Sequence, residues 1–457
     1  MSFASDRFHL VGVGGAGMSG LARLLGGAGK QVSGSDTTGG EALAALGQLG
    51  IEAWVGCQPE RIVGTDGYVI RSAAVPTSDA EVQECVRRGF TSLLYAEAVG
   101  RLSEGRRTLA VGGTHGKTTT TALTVAALRA AGFDPSHLIG GEVPQFGANG
   151  HGGTSPEFVV EACEFNRSFH HLRPFGAAIL NVDPDHFDCY PSSEDLALAF
   201  AGYLARIRPD GVALVEESVP RSVISDLRGD VRVLTVGSGL WTDIRAVDVR
   251  ERGGCWSFAP MLCGERLPRI ELSLSGRHNM HNALFALGLA HVAGADPARA
   301  GQGIAAFAGV RRRFEVHHGA RGGVLINDYA HHPAEIRVVL ETARRRFPGR
   351  RLVVAFQPHQ HQRTLVLLPQ FAEALARADE AIIADIYGAR ESDEIKAKVS
   401  AGDLVEAILR RGGQSSGGGS VGDLPDRIAA RARPDDLVLM LGAGDIDRAM
   451  EAILASL

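Results

Sequence analysis

The sequence contains no apolar run of about 18 residues, so no membrane-crossing helix is expected. It also lacks an excess of positive charge, with a formal net charge of −5. That excludes a broad surface for nucleic acid or anionic lipid, and any anionic ligand must be met by local positive groups. Cysteines are few: the six, at 57, 85, 163, 189, 255 and 263, form no C-x-x-C. Their spacing suggests neither a disulfide framework nor a zinc site, and reduced, buried or half-buried thiols in a cytoplasmic protein are expected. No internal repeat with matching residues is found. The first residues, "MSFASDRFHLVGVGG", run straight into a strand and leave no room for a signal peptide.

What is present is size, apolar content and glycine. A chain of 457 residues suggests two to four domains. With 45% hydrophobic and 22% charged residues, each domain can bury a normal core. The 58 glycines fall largely at strand ends and loop tips, which suits an α/β protein with many tight turns.

The order of elements divides the chain into three α/β blocks. "FHLVGV" reads as a buried strand, followed by "GGAG", a helical stretch and a second strand ending "VSGSD". A third strand is expected at "GYVIRSAAVP". The polar "SEGRR" before "TLAVGG" marks a fresh start, and the first boundary is placed near 104. From 108 the pattern is strand, loop, helix, then strands at 157–161, 177–182 and 212–215. Short runs from about 230 to 275 suggest a small antiparallel insertion, and "NMHNALFALGLAHVAG" an amphipathic helix. The second boundary falls near "AGVRRRFE". Beyond it "GVLINDYAHH", "RLVVAFQPH", "EAIIADIY" and "DLVLMLGAG" alternate with helical stretches and predict another parallel sheet. "RRGGQSSGGGS", 410–420, is expected to be a flexible surface loop.

Two glycine loops carry the functional signal. Gly12, Gly14 and Gly17 satisfy G-x-G-x-x-G, and Asp36 ends a strand about twenty residues later. NAD, another pyrophosphate such as that of a UDP-sugar, and a purely structural turn all remain open on this motif alone. The second loop, "GGTHGKTTTT" at 112–121, is one residue shorter than G-x-x-x-x-G-K-[ST]. Its "GGTHG" can still turn N–H groups inward as a nest for phosphate oxygens. Lys117 can then reach the β and γ phosphates, and Thr118 stands where a hydroxyl would meet Mg²⁺. The structural alternative is a glycine turn before a threonine-rich helix.

Further candidates cluster at strand ends. Glu161 ends an apolar strand, as a metal ligand or an edge salt bridge. Asp185, His186 and Asp188 follow another strand, although His is an unusual partner for Mg²⁺. Asn279 and Asn282 open a helix, either as caps or as readers of an adenine edge. "NDYAHHP", with Asp328, Tyr329, His331 and His332, and "QPHQHQRT", with His359, His361 and Arg363, lie just beyond two strands, where open α/β sheets bind ligands.

In this order, "GTHGKTTTT", the strand-end Glu161, "DHFD", "GRHNMHN", "RRRF", "NDYAHHP" and "QPH…RT" resemble the Mur ligases, over nearly the whole chain. The pairing of "GVGGAGMSGLA" with "DYAHHP" resembles the branch that adds L-alanine to UDP-N-acetylmuramate. The resemblance implies an α/β chain of three domains. A Rossmann-like domain, 1–104, would bind the UDP-sugar; a central P-loop ATPase-type domain, 105–309, would bind ATP; and a Rossmann-like domain, 310–457, would bind the amino acid and close over ATP.

Roles carry over residue by residue. Gly113, Thr114, His115, Gly116, Lys117, Thr118 and Thr119 would hold the ATP phosphates, and Thr118, Glu161 and His186 would serve Mg²⁺. Asn279 or Asn282, Arg313 and Asp328 would contact ATP. Gly14, Gly15, Gly17, Ser35, Asp36 and Ser72 would line the UDP-sugar pocket. Tyr329, His331, His359 and Arg363 would lie near the amino acid and the muramate carboxylate, with His331 or His359 accepting the amine proton.

The chain also departs from the family pattern. Gln360 stands where the family often has arginine, "EACE" replaces a common "EADE", and Ala201 stands where several relatives carry a modified lysine. The resemblance implies a cytoplasmic enzyme of peptidoglycan precursor synthesis, without nucleic acid or membrane insertion, as a monomer or weak homodimer. A ligase adding a preformed peptide, an NAD-dependent oxidoreductase and a nucleotide switch are the competing readings.

Overall fold

The computed structural model describes residues 3–185, 187, 189–320, 322–388 and 391–457. These residues form an α/β chain built on three sheets. Two compact units contain them: residues 1–249, 257–272 and 280–308 form the first, and 250–256, 273–279 and 309–457 the second.

The first sheet is wholly parallel. Its strands are β1 (Arg7–Val11), β2 (Gln31–Asp36), β3 (Glu52–Val55), β4 (Gly67–Arg71) and β5 (Phe90–Leu94), in the order β3-β2-β1-β4-β5. β1 lies at the centre, so the loop that follows it opens at the point where strand order reverses. β3 and β5 were not foreseen: "EAWV" and "FTSLL" are too short and too polar to stand out as apolar runs.

The second sheet has eleven strands. In chain order they are β6 (Arg107–Gly112), β7 (Ser136–Leu138), β8 (Gly150–His151), β9 (Glu157–Glu161), β10 (Gly176–Ile179), β11 (Val212–Glu216), β12 (Arg232–Gly237), β13 (Ile244–Arg252), β14 (Cys255–Leu262), β15 (Glu265–Arg266) and β16 (Ile270–Ser275). β6 sits between β9 and β10, parallel to both. The expected antiparallel insertion at 230–275 needs correcting for its first two strands. β12 and β13 extend the main sheet in parallel, because Val212–Glu216 offers a full ladder to Arg232–Val236, while β15 runs antiparallel to β14.

One apolar core runs through both sheets of this unit, from Phe8, Leu10 and Leu21 to Phe158, Phe169 and Tyr203. Close backbone contact joins them. Asn149 Nδ2 donates to Ala16 O at 2.6 Å, and a Cβ at Gly150 would lie 2.0 Å from Gly20 O. Only glycine fits where helix Ala16–Gly27 meets β8.

The sheet of the second unit comprises β17 (Glu315–His318), β18 (Val324–Asp328), β19 (Leu352–Phe356), β20 (Glu380–Ala384), β21 (Ser415–Gly419) and β22 (Leu437–Leu441), in the order β17-β18-β22-β19-β20-β21. Only β17 is antiparallel to its neighbour. β18, β19, β20 and β22 are the four expected apolar runs. The glycine-rich 410–420 segment is not a flexible loop, since Ser415–Gly419 forms the edge strand beside β20. Its low strand propensity is overridden by context. Ser415 Oγ donates to Ala381 O at 3.0 Å, and a Cβ at Gly418 would press on Leu424 at 2.9 Å. All six cysteines are free, but Cys57, Cys163 and Cys263 are exposed rather than buried or half-buried.

Candidate active site

The first loop closes on its own strand. Gly12 N and Val13 N donate to Ser35 O at 2.8 and 2.9 Å, and Gly14 N donates to Asp36 Oδ2 at 2.9 Å. The glycines are demanded by their walls. A Cβ would meet Ser72 Oγ at 3.0 Å from Gly12, Asp36 Oδ2 at 2.9 Å from Gly14 and Tyr95 at 3.0 Å from Gly17. Gly15 then precedes helix Ala16–Gly27, which has no side-chain cap. Gly14, Gly15, Gly17, Asp36 and Ser72 thus meet around one loop.

The Ser35 hydroxyl is turned elsewhere, donating to the buried Glu81. Burial pushes against the charge on Glu81. Hydrogen bonds from His9, Ser35, the Gln58 amide and Trp54 prevail and hold its carboxyl at about 2.

The second loop lies between two strand ends. In register, Glu161 is opposite Val111 and Ile179 is opposite Gly112. Gly113 has φ of 138° and Gly116 has φ of 84°, conformations that favour glycine. They turn the chain into helix Lys117–Ala130 within four residues, which is how the compressed spacing closes. Behind Gly116, a Cβ would sit 2.7 Å from Asn282 Oδ1, which puts Asn282 at the mouth of this helix.

Lys117 lies back over the loop. Its Nζ donates to Gly113 O at 2.6 Å, Thr114 O at 3.0 Å and Glu164 Oε1 at 2.9 Å. Burial opposes its charge, but the Glu164 carboxylate outweighs burial, and the Lys117 ammonium is raised above its ordinary value. It therefore stays cationic. Glu161, at the end of β9, accepts the Gly140 amide, and Thr118 is buried in the first turn of the helix. His186 lies outside the described residues.

Two residues here were not singled out from the sequence. Asn181, two positions beyond β10, clamps the loop: His115 N donates to its Oδ1 at 2.7 Å and its Nδ2 donates to His115 O at 3.1 Å. Beside it Asp183 N donates to Thr114 Oγ1 at 2.9 Å, which donates to Asp183 O at 2.9 Å. Glu164 is the other. The available signal was a polar residue just beyond each strand flanking the loop strand, inside "AAILNVD" and "EACE".

In the second unit the "RRRF" and "NDYAHHP" segments meet. Asp328, at the end of β18 and 6% exposed, accepts Phe314 N at 2.6 Å and Ala330 N at 2.8 Å. Burial pushes its carboxyl up to about 6, against the pull of nearby Arg313. Arg312 and Arg313 lie 5.1 and 5.0 Å from the Tyr329 ring centre. The His331 ring stands 6.0 Å from that of His359, and Arg363 Nη1 approaches His359 Nδ1 at 3.4 Å. Tyr329, His331, His359 and Arg363 are thus neighbours. His332 instead caps helix Pro333–Arg346 together with Glu335. Asn279 Nδ2 donates to Ser275 O at 2.7 Å, within its own helix start.

Residues 7–107, 111–290 and 312–444 match, in turn, the family models described as "Mur ligase family, catalytic domain", "Mur ligase middle domain" and "Mur ligase, glutamate ligase domain". The chain is 39% identical to a UDP-N-acetylmuramate–L-alanine ligase of Kineococcus radiotolerans, over 96% of this chain and 94% of that protein. It is 36% identical to one of Caldanaerobacter subterraneus, over 98% and 97%. Among solved structures, it superposes on a UDP-N-acetylmuramate–alanine ligase of Thermotoga maritima with a TM-score of 0.80 at 26% identity, each chain 98% covered. A murein peptide ligase of Psychrobacter arcticus shares the fold, with a TM-score of 0.74 at 23% identity and 98% of each chain covered. The chain belongs to the Mur ligase family, and it is a ligase.

Proposed function

We propose that the chain joins L-alanine to the carboxylate of UDP-N-acetylmuramate at the expense of ATP, in peptidoglycan precursor synthesis. The reading rests above all on one juxtaposition. A single compact unit carries a glycine loop walled by Asp36 and Ser72 and a second loop overlaid by a half-buried, cationic lysine. The first suits the sugar nucleotide and the second the triphosphate. Residues 1–104, 105–309 and 310–457 then serve the UDP-sugar, ATP and the amino acid, in a cytoplasmic enzyme that is a monomer or weak homodimer.

The chemistry follows from charge. The muramate carboxylate attacks the γ-phosphorus, giving an acyl phosphate and ADP. The alanine amine then attacks the acyl carbon, and phosphate leaves as the amide forms. Bringing a carboxylate to a triphosphate juxtaposes like charges, and each pair 4 Å apart costs about 4 kcal/mol at an effective dielectric of 20. Lys117 would meet that charge from the first turn of the helix that the second loop opens. Thr118 and Glu161 offer the oxygen donors that Mg²⁺ prefers, so they fit the metal, which would supply further neutralisation when bound. Arg363 would grip a carboxylate, and His331 or His359 would take the amine proton. The oxidoreductase reading leaves the second loop without a role, and the relatives matched over all three blocks are ligases.

Phosphate release measured with ATP, UDP-N-acetylmuramate and a panel of L-alanine, glycine, L-serine and L-Ala-γ-D-Glu-meso-diaminopimelate tests the proposal. Release that requires the sugar nucleotide and is fastest with L-alanine is expected. Faster release with the tripeptide would make this a peptide-adding ligase, and release indifferent to both substrates would overturn the reading.

A further inference from the structure

Glu391 has no part in the chemistry above, yet three donors converge on it. Its side chain is 6% exposed. Oε2 accepts His361 N at 2.8 Å and His361 Nδ1 at 2.9 Å, and Oε1 accepts Gln362 N at 2.9 Å. These amides open helix His361–Val366, which carries Arg363. The residue before the helix, Gln360, cannot cap it: its φ is 71° and its side chain makes no cap bond. A carboxylate thirty positions down the chain performs the task that a local Ser or Asp performs elsewhere.

The rest of the turn is drawn to the same segment. Tyr387 N donates to Pro358 O at 2.8 Å, and Gln360 N donates to Tyr387 O at 2.9 Å. His359 stacks on Tyr387, with ring centres 5.5 Å apart and planes at 15°. Gly388 must be small, since a Cβ would lie 3.1 Å from the His361 ring. Arg363, 4% exposed, sets Nη1 at 3.3 Å from His359 O.

We propose that Glu391 is a positioning residue for the amino acid: its carboxylate fixes the turn that aims His359 and Arg363. This rests on the assignment of Arg363 to the amino-acid end of the site. The test is steady-state kinetics of Glu391→Gln, Glu391→Asp and Glu391→Ala, with Arg363→Lys alongside and thermal melts of each. In Glu391→Ala the KM for L-alanine should rise roughly 10- to 100-fold, as for loss of charge-assisted hydrogen bonds. The KM for ATP should stay within about twofold, since the triphosphate is assigned to the second loop and not to this turn. Glu391→Gln, which keeps an acceptor, should recover part of the loss. A rise in the KM for ATP as large as that for L-alanine, or an unchanged KM for L-alanine, overturns the proposal. If Arg363→Lys raises the KM for L-alanine while Glu391→Ala does not, only the positioning role fails. If Arg363→Lys leaves it unchanged, the assignment of Arg363 fails.

Discussion

The loops at 12–17 and 112–116 each end a parallel strand and open a helix that has no side-chain cap and no acidic residue in its first turn. Four other helices differ: Asp79, Ser192, Asp296 and Ser400 each accept a backbone N–H at the start of theirs. An uncapped, positive helix end suits an anion. The furnishing of the two loops then diverges. In the first, Ser35 O and the Asp36 carboxylate occupy three amides, and the walls are Ser72, Leu43 and Tyr95. In the second, Asn181 clamps the loop from outside and Lys117 lies across it, partnered by Glu164. The shared feature attracts phosphate, and the differing one sets the use. A loop without a lysine can hold a pyrophosphate that never reacts, whereas phosphoryl transfer needs a fixed cation at the reacting end.

Lys117→Met should break the comparison most sharply. Turnover should fall roughly 10³-fold or more, equivalent to about 4 kcal/mol of lost charge stabilisation. The fold should lose on the order of 3 kcal/mol as well, because Glu164 is left buried without its cation. Adding Glu164→Gln should restore much of the melting temperature and none of the turnover. Recovery of both would show Lys117 to be structural.

Gly150→Ala comes next. Its methyl would be driven into the Gly20 carbonyl beneath the first helix, and a cost of about 3 kcal/mol is expected in chemical denaturation. Weakening of UDP-N-acetylmuramate should exceed that of ATP, since the first loop opens that helix. The reverse order would contradict the division of labour.

Asp328 provides a control away from both loops. Its folded pKa of about 6 lies above the ordinary 3.8, so the fold prefers the neutral acid. That contribution is fully present below about pH 4 and is lost as pH rises through 6, up to about 3 kcal/mol. Wild-type stability minus that of Asp328→Asn should therefore fall between pH 4 and pH 7 in urea titrations. A difference that is flat or rising across that window would mean that burial does not raise this carboxyl.

The smallest effect is expected at Asn181. Replacement by alanine removes two hydrogen bonds to His115, worth about 1–2 kcal/mol, and should raise the KM for ATP about tenfold while sparing the sugar nucleotide. An equal rise for both would place Asn181 in the general fold.

Much of this was legible where physics is local. Apolar runs such as Leu352–Phe356 and Leu437–Leu441 announce buried parallel strands, and both glycine loops announce themselves by spacing. What could not be read depends on partners distant in sequence. Ser415–Gly419 becomes a strand only because β20 lies beside it. Ser35, adjacent to a motif residue, turns to Glu81, forty-six positions away. Glu164 and Asn181 stand out only by their place beyond the flanking strands, and Glu391 acquires its meaning from the groups it touches.

Calorimetric titration of UDP-N-acetylmuramate and of a non-hydrolysable ATP analogue into Lys117→Met and Gly14→Val tests the division of labour most directly. A side chain at Gly14 would press on Asp36 Oδ2 at 2.9 Å and break the first loop. The account predicts a double dissociation: Lys117→Met keeps the sugar nucleotide and loses the ATP analogue, and Gly14→Val does the opposite. Loss of both ligands in either variant, in protein still folded at the titration temperature, would contradict it.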